Sequence, residues 1–258
     1  MKATLKADHT QELFDKMSNI VTEAILRFTD EGLEVTTADP AMVSMIDLEV
    51  PEDSFSEYQI DLEDEKLEHL QEEDEQGILI GVDLENLASI VKLFDNKITF
   101  TTEESNLILT EENDRFELPI LNLSTDDIPN TDSLEHDIKA RLENNQLKTL
   151  VKKMAVASES TTVELEEDGT LEVEGGGDQI SVETSFNLDE AENLSENIES
   201  VESMFALDYL KKAERVFRGL DTCDNLEIKM GQDFPMEMTH SDQRENLKFV
   251  LAPRIEEK

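Results

Sequence analysis

Asp208-Tyr209-Leu210-Lys211-Lys212-Ala213-Glu214-Arg215-Val216-Phe217-Arg218 is the stretch from which the fold is read. Tyr209, Leu210, Ala213, Val216 and Phe217 recur at the three- and four-residue steps of an amphipathic helix. Lys211, Lys212, Arg215 and Arg218 share one side of it, opposite Leu210, Ala213 and Phe217. Soon afterwards Leu226-Glu227-Ile228-Lys229-Met230 alternates apolar and polar residues, as a half-buried strand does. Working outward, the same unit of helix and strands recurs along the whole chain.

Besides this window, about 205–218, three others carry helical periodicity. About 9–22 holds Leu13, Phe14, Met17, Ile20 and Val21; about 83–93 holds Leu84, Leu87 and Val91, continues to Phe94, and has Asp83 as its expected N-cap. About 143–155 holds Leu147, Leu150, Val151 and Met154, with Asn144 or Asn145 near its start. Leu33–Thr37, Ile98–Thr102 and Thr162–Glu166 read as strands, and Glu31-Gly32 and Asp168-Gly169 as hairpin turns. Each half reads strand, helix, hairpins, helix, hairpins. Glu31-Gly32-Leu33-Glu34-Val35 faintly echoes Gly169-Thr170-Leu171-Glu172-Val173, so an internal duplication is expected. The junction falls at 119–135, where two prolines and many turn residues surround Ile120, Leu121, Leu123 and Ile128. A plain linker would be more polar. Asp61–Gln76 carries nine acids and is read as a solvated acidic loop or short helix.

The charge is lopsided: 63 acids against 22 bases, a net of −41 spread over 258 residues. Such a surface suits a cytosol with molar salt, where a Debye length of about 3 Å screens self-repulsion. The four helical windows depart from the rest. They hold nine bases (Lys16, Lys92, Lys148, Lys152, Lys153, Lys211, Lys212, Arg215 and Arg218) against seven acids. One helix with a basic solvated face is commonplace; four spared helices in so acidic a chain point to one surface that meets a polyanion.

Several classes of function are disfavoured. His9, His69, His136 and His240 are scattered, Cys223 is the lone cysteine, and no nucleophile elbow or metal-binding spacing occurs. Gly175-Gly176-Gly177-Asp178 reads as a turn or strand end, because no Lys-Ser/Thr follows it. No catalytic activity, cofactor or metal is expected. No apolar run approaches the ~18 residues of a membrane span, and Met1–Lys6 lacks the apolar core of a signal peptide, so a cytoplasmic location is expected.

Gln232-Asp233-Phe234-Pro235-Met236-Glu237-Met238 and Leu247-Lys248-Phe249-Val250-Leu251-Ala252-Pro253-Arg254-Ile255-Glu256-Glu257 closely resemble the end of the proliferating cell nuclear antigen family. Thr37-Ala38-Asp39-Pro40-Ala41-Met42-Val43-Ser44-Met45, Gly81-Val82-Asp83-Leu84-Glu85-Asn86-Leu87 and Asp127-Ile128-Pro129 follow in family order, so the likeness spans nearly the whole chain. The acidic run 61–76 is longer and more acidic than the family's loop.

The resemblance implies an α+β fold with two clamp domains, 1–118 and 136–258, joined by a connecting loop at 119–135. Antiparallel sheets would lie outside and helices would line a ring formed by a homotrimer around duplex DNA, without sequence specificity. The nine helical bases would face the DNA. DNA polymerase, clamp loader, flap endonuclease and DNA ligase would insert short hydrophobic peptides into a pocket. Carried over by position, its residues are Met42, Val43, Met45, Ile128, Pro129, Leu134, Pro235, Val250, Leu251, Ala252 and Pro253. The subunit joint would pair a strand near Asn113–Leu118 with one near Asp178–Ser185, centred on Phe116, Leu118, Ile180 and Val182 with Met154 nearby. Two other readings fit the composition: an acidic protein that mimics DNA, and a subunit of a heteromeric checkpoint-type clamp.

Overall fold

Apolar Ala3 and Leu5 turn inward from Lys2–Lys6 and make it a strand, β1, which leads directly into helix α1 (Ala7–Ser18). The computed structural model describes residues 1–61, 77–124, 131, 133–177, 179–218 and 225–255. The acidic residues 62–76, Ile128 and Pro129 lie outside them. After α1 come β2 (Glu23–Phe28), β3 (Gly32–Ala38), β4 (Ser44–Pro51) and β5 (Glu57–Gln59). Next are β6 (Ile78–Asp83), α2 (Leu84–Val91), β7 (Lys97–Glu103), β8 (Asn106–Glu111) and β9 (Asp114–Pro119).

The second half repeats this order. It runs β10 (Ile138–Glu143), α3 (Asn144–Met154), β11 (Ser160–Glu166), β12 (Thr170–Gly176), β13 (Ser181–Asn187) and β14 (Asp189–Asn193). It ends with β15 (Ser200–Ala206), α4 (Leu207–Val216), β16 (Asn225–Met230), β17 (Met236–Ser241) and β18 (Asn246–Leu251). The sheets repeat as well. Strands β5-β1-β7-β8-β9 and β4-β3-β2-β6 in the first half correspond place for place to β14-β10-β16-β17-β18 and β13-β12-β11-β15. Pairing is antiparallel. The expected duplication is therefore present as topology, although its trace in the residues is faint.

Contacts divide the chain into two units. One comprises Met1–Ala38, Ile46–Ile128 and Ser241–Leu247, the other Asp39–Met45, Pro129–His240 and Lys248–Lys258. In the first, α1 packs on α2, β1 and β7 through buried Leu13, Phe14 and Met17, with the Phe14 ring 6.2 Å from that of Phe100. Each such side chain contributes about 1.5–3 kcal/mol by leaving water. Asp83 caps α2 as expected: its carboxylate accepts the Asn86 N–H at 2.8 Å. In the second unit α3 packs on α4, β10, β12 and β13, and α4 on β15. At the α3 start the Glu143 N–H donates to Gln146 Oε1 at 2.8 Å.

Close approach explains part of the apolar junction. The Leu121 N–H donates to the Gly81 carbonyl at 2.8 Å, and a Cβ on Gly81 would lie 2.2 Å from the Leu121 carbonyl oxygen. Ile120, Leu121 and Leu123 are half-buried accordingly. Gly175-Gly176-Gly177 ends β12 and enters the hairpin to β13, where the Gly177 N–H donates to the Ile180 carbonyl. No described helix is long and apolar enough to cross a membrane.

Candidate functional site

Helical amphipathicity places the bases, and their neighbours decide what they do. On α3, Lys148 and Lys152 are exposed and make no salt bridge among the described residues; on α4 the same holds for Arg215. Lys211 pairs with Asp208 and Arg218 with Glu214, each at 2.8 Å, and the Lys212 ammonium lies 4.6 Å from the centre of the Tyr209 ring. The Lys211 hydrogen bond holds the Asp208 carboxyl below its ordinary range. At the C-cap of α2, Lys92 is exposed and paired with Asp15 at 2.9 Å.

Two of the nine bases depart from the expectation. Lys16 is 4% exposed, and its ammonium is bonded to Glu245, itself 1% exposed and also 3.4 Å from His9 Nε2. An ammonium enclosed in this way cannot meet a polyanion, so Lys16 leaves the list of exposed bases. Lys153 is exposed but turned toward β13, where it donates to Thr184 Oγ1 at 2.7 Å and lies 5.3 Å from the Phe186 ring centre.

The strands expected at a subunit joint are both sheet edges. Strand β9 ends the order β5-β1-β7-β8-β9 and β13 begins the order β13-β12-β11-β15. Unpaired edges carry free N–H and C=O groups that can add a further strand. Ile180 is 48% exposed beside β13, and Val182 is half-buried on it. Phe116 is half-buried, its ring edge-on to Phe94 at 5.4 Å. Leu118 and Met154 are buried within their own units.

The residues carried over as a peptide pocket separate similarly. Met45, Val250 and Leu251 are core, at 5%, 6% and 0% exposure, because the strands that carry them turn these side chains inward. Met42 is exposed and Val43, Pro235, Ala252 and Pro253 half-buried, with the Ala252 N–H donating to the Val43 carbonyl at 2.8 Å. Met42 adopts φ of 55°, a left-handed conformation that costs a non-glycine residue about 1–2 kcal/mol. Leu134 instead lines a cavity of about 540 Å³ with His136, Leu194, Ser195, Lys229, Glu237 and Lys248. There His136 Nε2 lies 3.1 Å from the Pro235 carbonyl, and burial pushes its pKa down. Ile128 and Pro129 lie outside the described residues.

Comparison with known proteins decides the family. A model of the N-terminal domain of proliferating cell nuclear antigen matches residues 3–133, slightly more than half the chain. The chain belongs to the proliferating cell nuclear antigen family. The DNA polymerase sliding clamp of Methanosphaerula palustris is 30% identical over 261 residues, covering 99% of each chain. That of Pyrococcus abyssi is 27% identical, covering 95% of this chain and 94% of its own. Among solved structures, A. fulgidus PCNA bound to the C-terminal region of FEN-1 matches with a TM-score of 0.82 at 23% identity, over 100% of this chain and 99% of that one. PCNA from Thermococcus kodakaraensis matches at 0.81 and 23%, over 98% and 99%. These two likenesses concern the fold. The function of the chain is accordingly that of a DNA polymerase sliding clamp, a processivity factor of replication.

Two exposed apolar residues were not singled out by the sequence reading. Leu93 at 63% and Val156 at 68% exposure are apolar side chains in water. Leu93 precedes Phe94, whose ring is edge-on to Phe116 of β9, and Val156 follows the end of α3, which packs on β13. Both follow the last turn of a helix, where an aliphatic residue out of the buried stripe is the signal that was available.

Proposed function

We propose that three copies of this chain close head to tail into a ring around duplex DNA, through β9 of one copy and β13 of the next. The observation that carries the reading is the pair of uncovered edges, one in each unit, with Ile180, Val182, Leu93 and Val156 giving the apolar surface beside them. Heterologous pairing of this kind caps both edges and closes if the rotation is right. The division into domains 1–118 and 136–258 with a connector at 119–135 belongs to the same proposal.

Lys148, Lys152, Lys211, Lys212, Arg215, Arg218 and Lys92 form the lining. Four of them are neutralised or screened by Asp208, Glu214, Asp15 or an aromatic ring, so the lining is only weakly cationic. A topologically retained ring needs no more; tight phosphate contacts would hinder sliding, and counterion release contributes little in molar salt. The clamp catalyses nothing itself. DNA polymerase, clamp loader, flap endonuclease and DNA ligase dock through hydrophobic peptides on the surface formed by Met42, Val43, Pro235, Ala252 and Pro253, a mode extended from the A. fulgidus neighbour with its FEN-1 segment. The acidic surface suits a cytoplasm of molar salt.

Ile180→Asp tests the joint better than Phe116→Ala, because Phe116 also packs inside its own unit and Ile180 is free to change. In about 2 M KCl, chosen for strong screening, light scattering is expected to give three chain masses for wild type and one for Ile180→Asp. The variant should also lose polymerase processivity. A wild-type monomer, or a trimer in the variant, refutes this joint.

A further inference from the structure

The turn that carries Met42 is wrapped around one carboxylate. Asp39, 3% exposed, accepts at Oδ1 from the Val43 N–H at 2.9 Å, the Ser44 N–H at 2.6 Å and Ser44 Oγ at 3.2 Å. Oδ2 accepts the Ala41 N–H at 3.2 Å. The backbone closes the same loop: the Asp39 N–H donates to the Ser44 carbonyl at 2.9 Å and the Met42 N–H to the Asp39 carbonyl at 2.8 Å. Held in this way, Met42 keeps its left-handed φ and stays 46% exposed.

The remaining partner comes from 170 positions away. The Tyr209 hydroxyl, on α4 in the same unit, donates to Asp39 Oδ2 at 2.9 Å. Without it, Oδ2 would keep only the longer bond to Ala41, and a buried carboxylate oxygen short of donors is costly. The Tyr209 ring has a separate anchor in the Lys212 ammonium beside it, so removal of the hydroxyl alone leaves the ring in place.

We propose that Tyr209 is a positioning residue for the partner pocket. Its hydrogen bond completes the donor set around Asp39, locks residues 39–44 in the strained turn, and so presents Met42 ready-made to an incoming hydrophobic peptide. The proposal rests on the reading of that pocket given above. With the hydroxyl removed, the turn relaxes toward negative φ at Met42, and each binding event must reorder it. The loss therefore falls on affinity.

The test is fluorescence anisotropy with a labelled peptide of the C-terminal region of FEN-1, in about 2 M KCl to screen the acidic surface. Wild type, Tyr209→Phe, Met42→Ala, the double variant and Ala252→Arg are compared. Tyr209→Phe is expected to weaken binding about tenfold, the factor that 1.4 kcal/mol represents, with the mass of the assembly unchanged. Asp39→Asn should weaken it in the same direction. In the Met42→Ala background, Tyr209→Phe should cost less than about threefold, because effects that act through one residue do not add. Wild-type affinity in Tyr209→Phe overturns the inference, and so does full additivity with Met42→Ala, which would mark a general structural role. If Ala252→Arg abolishes binding while Tyr209→Phe is neutral, the pocket stands and the inference alone falls. If wild type does not bind, or Ala252→Arg binds equally well, both fall.

Discussion

Glu245 places its carboxylate between two buried groups, His9 Nε2 at 3.4 Å and the Lys16 ammonium, while its own backbone N–H donates to Asp242 Oδ1 at 2.9 Å. Burial pushes its carboxyl up, but the hydrogen bonds and charges of His9 and Lys16 outweigh that and leave the pKa below the ordinary glutamate value. A buried pair broken on one side costs about 3–5 kcal/mol, whereas an apolar replacement that fills the space recovers part of it. Lys16→Ala is therefore expected to lower stability by about that amount and Lys16→Met by less, as read in denaturant unfolding at constant KCl. Because the folded pKa of Glu245 is depressed, its contribution is present above the unfolded carboxylate range and is lost as pH falls through the folded value. Asp39 is lowered too: burial opposes this, but the Ser44 N–H, the Tyr209 hydroxyl and further N–H groups prevail, with the same sign. Unfolding measured from neutral to acid pH should show a flatter acid limb in Glu245→Gln than in wild type. The sequence marked Lys16 as a helical base and could not show its burial, because Glu245 lies 229 positions away.

Helices and strands were legible where their pattern is local. The periodicity of Leu147, Leu150, Val151 and Met154 predicts a helix at about 143–155, and α3 spans Asn144–Met154. Helix α1 stops at Ser18, yet Ile20 and Val21 are buried beyond it, since periodicity does not distinguish the last turn from an apolar loop that follows. The face presented by an element was less legible. Lys148, Lys152 and Lys153 look alike in sequence, but Lys153 is drawn to Thr184 and Phe186 on β13. Lys148→Glu with Lys152→Glu should therefore shorten retention of the clamp on nicked circular DNA and reduce the salt slope of retention by about one or two phosphate contacts. Lys153→Met should leave that slope nearly unchanged and act on subunit assembly instead, as read by light scattering.

For the whole molecule, a net charge of −41 sets the conditions under which any ring can persist. At about 1 M salt the Debye length is about 3 Å, whereas at about 0.01 M it reaches about 30 Å and repulsion extends across a subunit. Dilution into about 10 mM salt should split the proposed trimer. Sedimentation that shows an unchanged trimer there would refute the electrostatic account. The family was readable from Leu247–Glu257 and its companions, and the α+β class from the alternation of two periods. Duplication was only faint in the residues but is explicit in the strand order. What the sequence by itself determined was the one-dimensional part: where helices and strands run, and that the helices are spared its acid. Tertiary structure decided which of those side chains are available. Segment 241–247 encloses Lys16, the strands inter Met45, Val250 and Leu251, and Tyr209 secures the turn that exposes Met42. The physical reason is that amphipathic period is encoded by near neighbours, whereas burial is conferred by residues far along the chain.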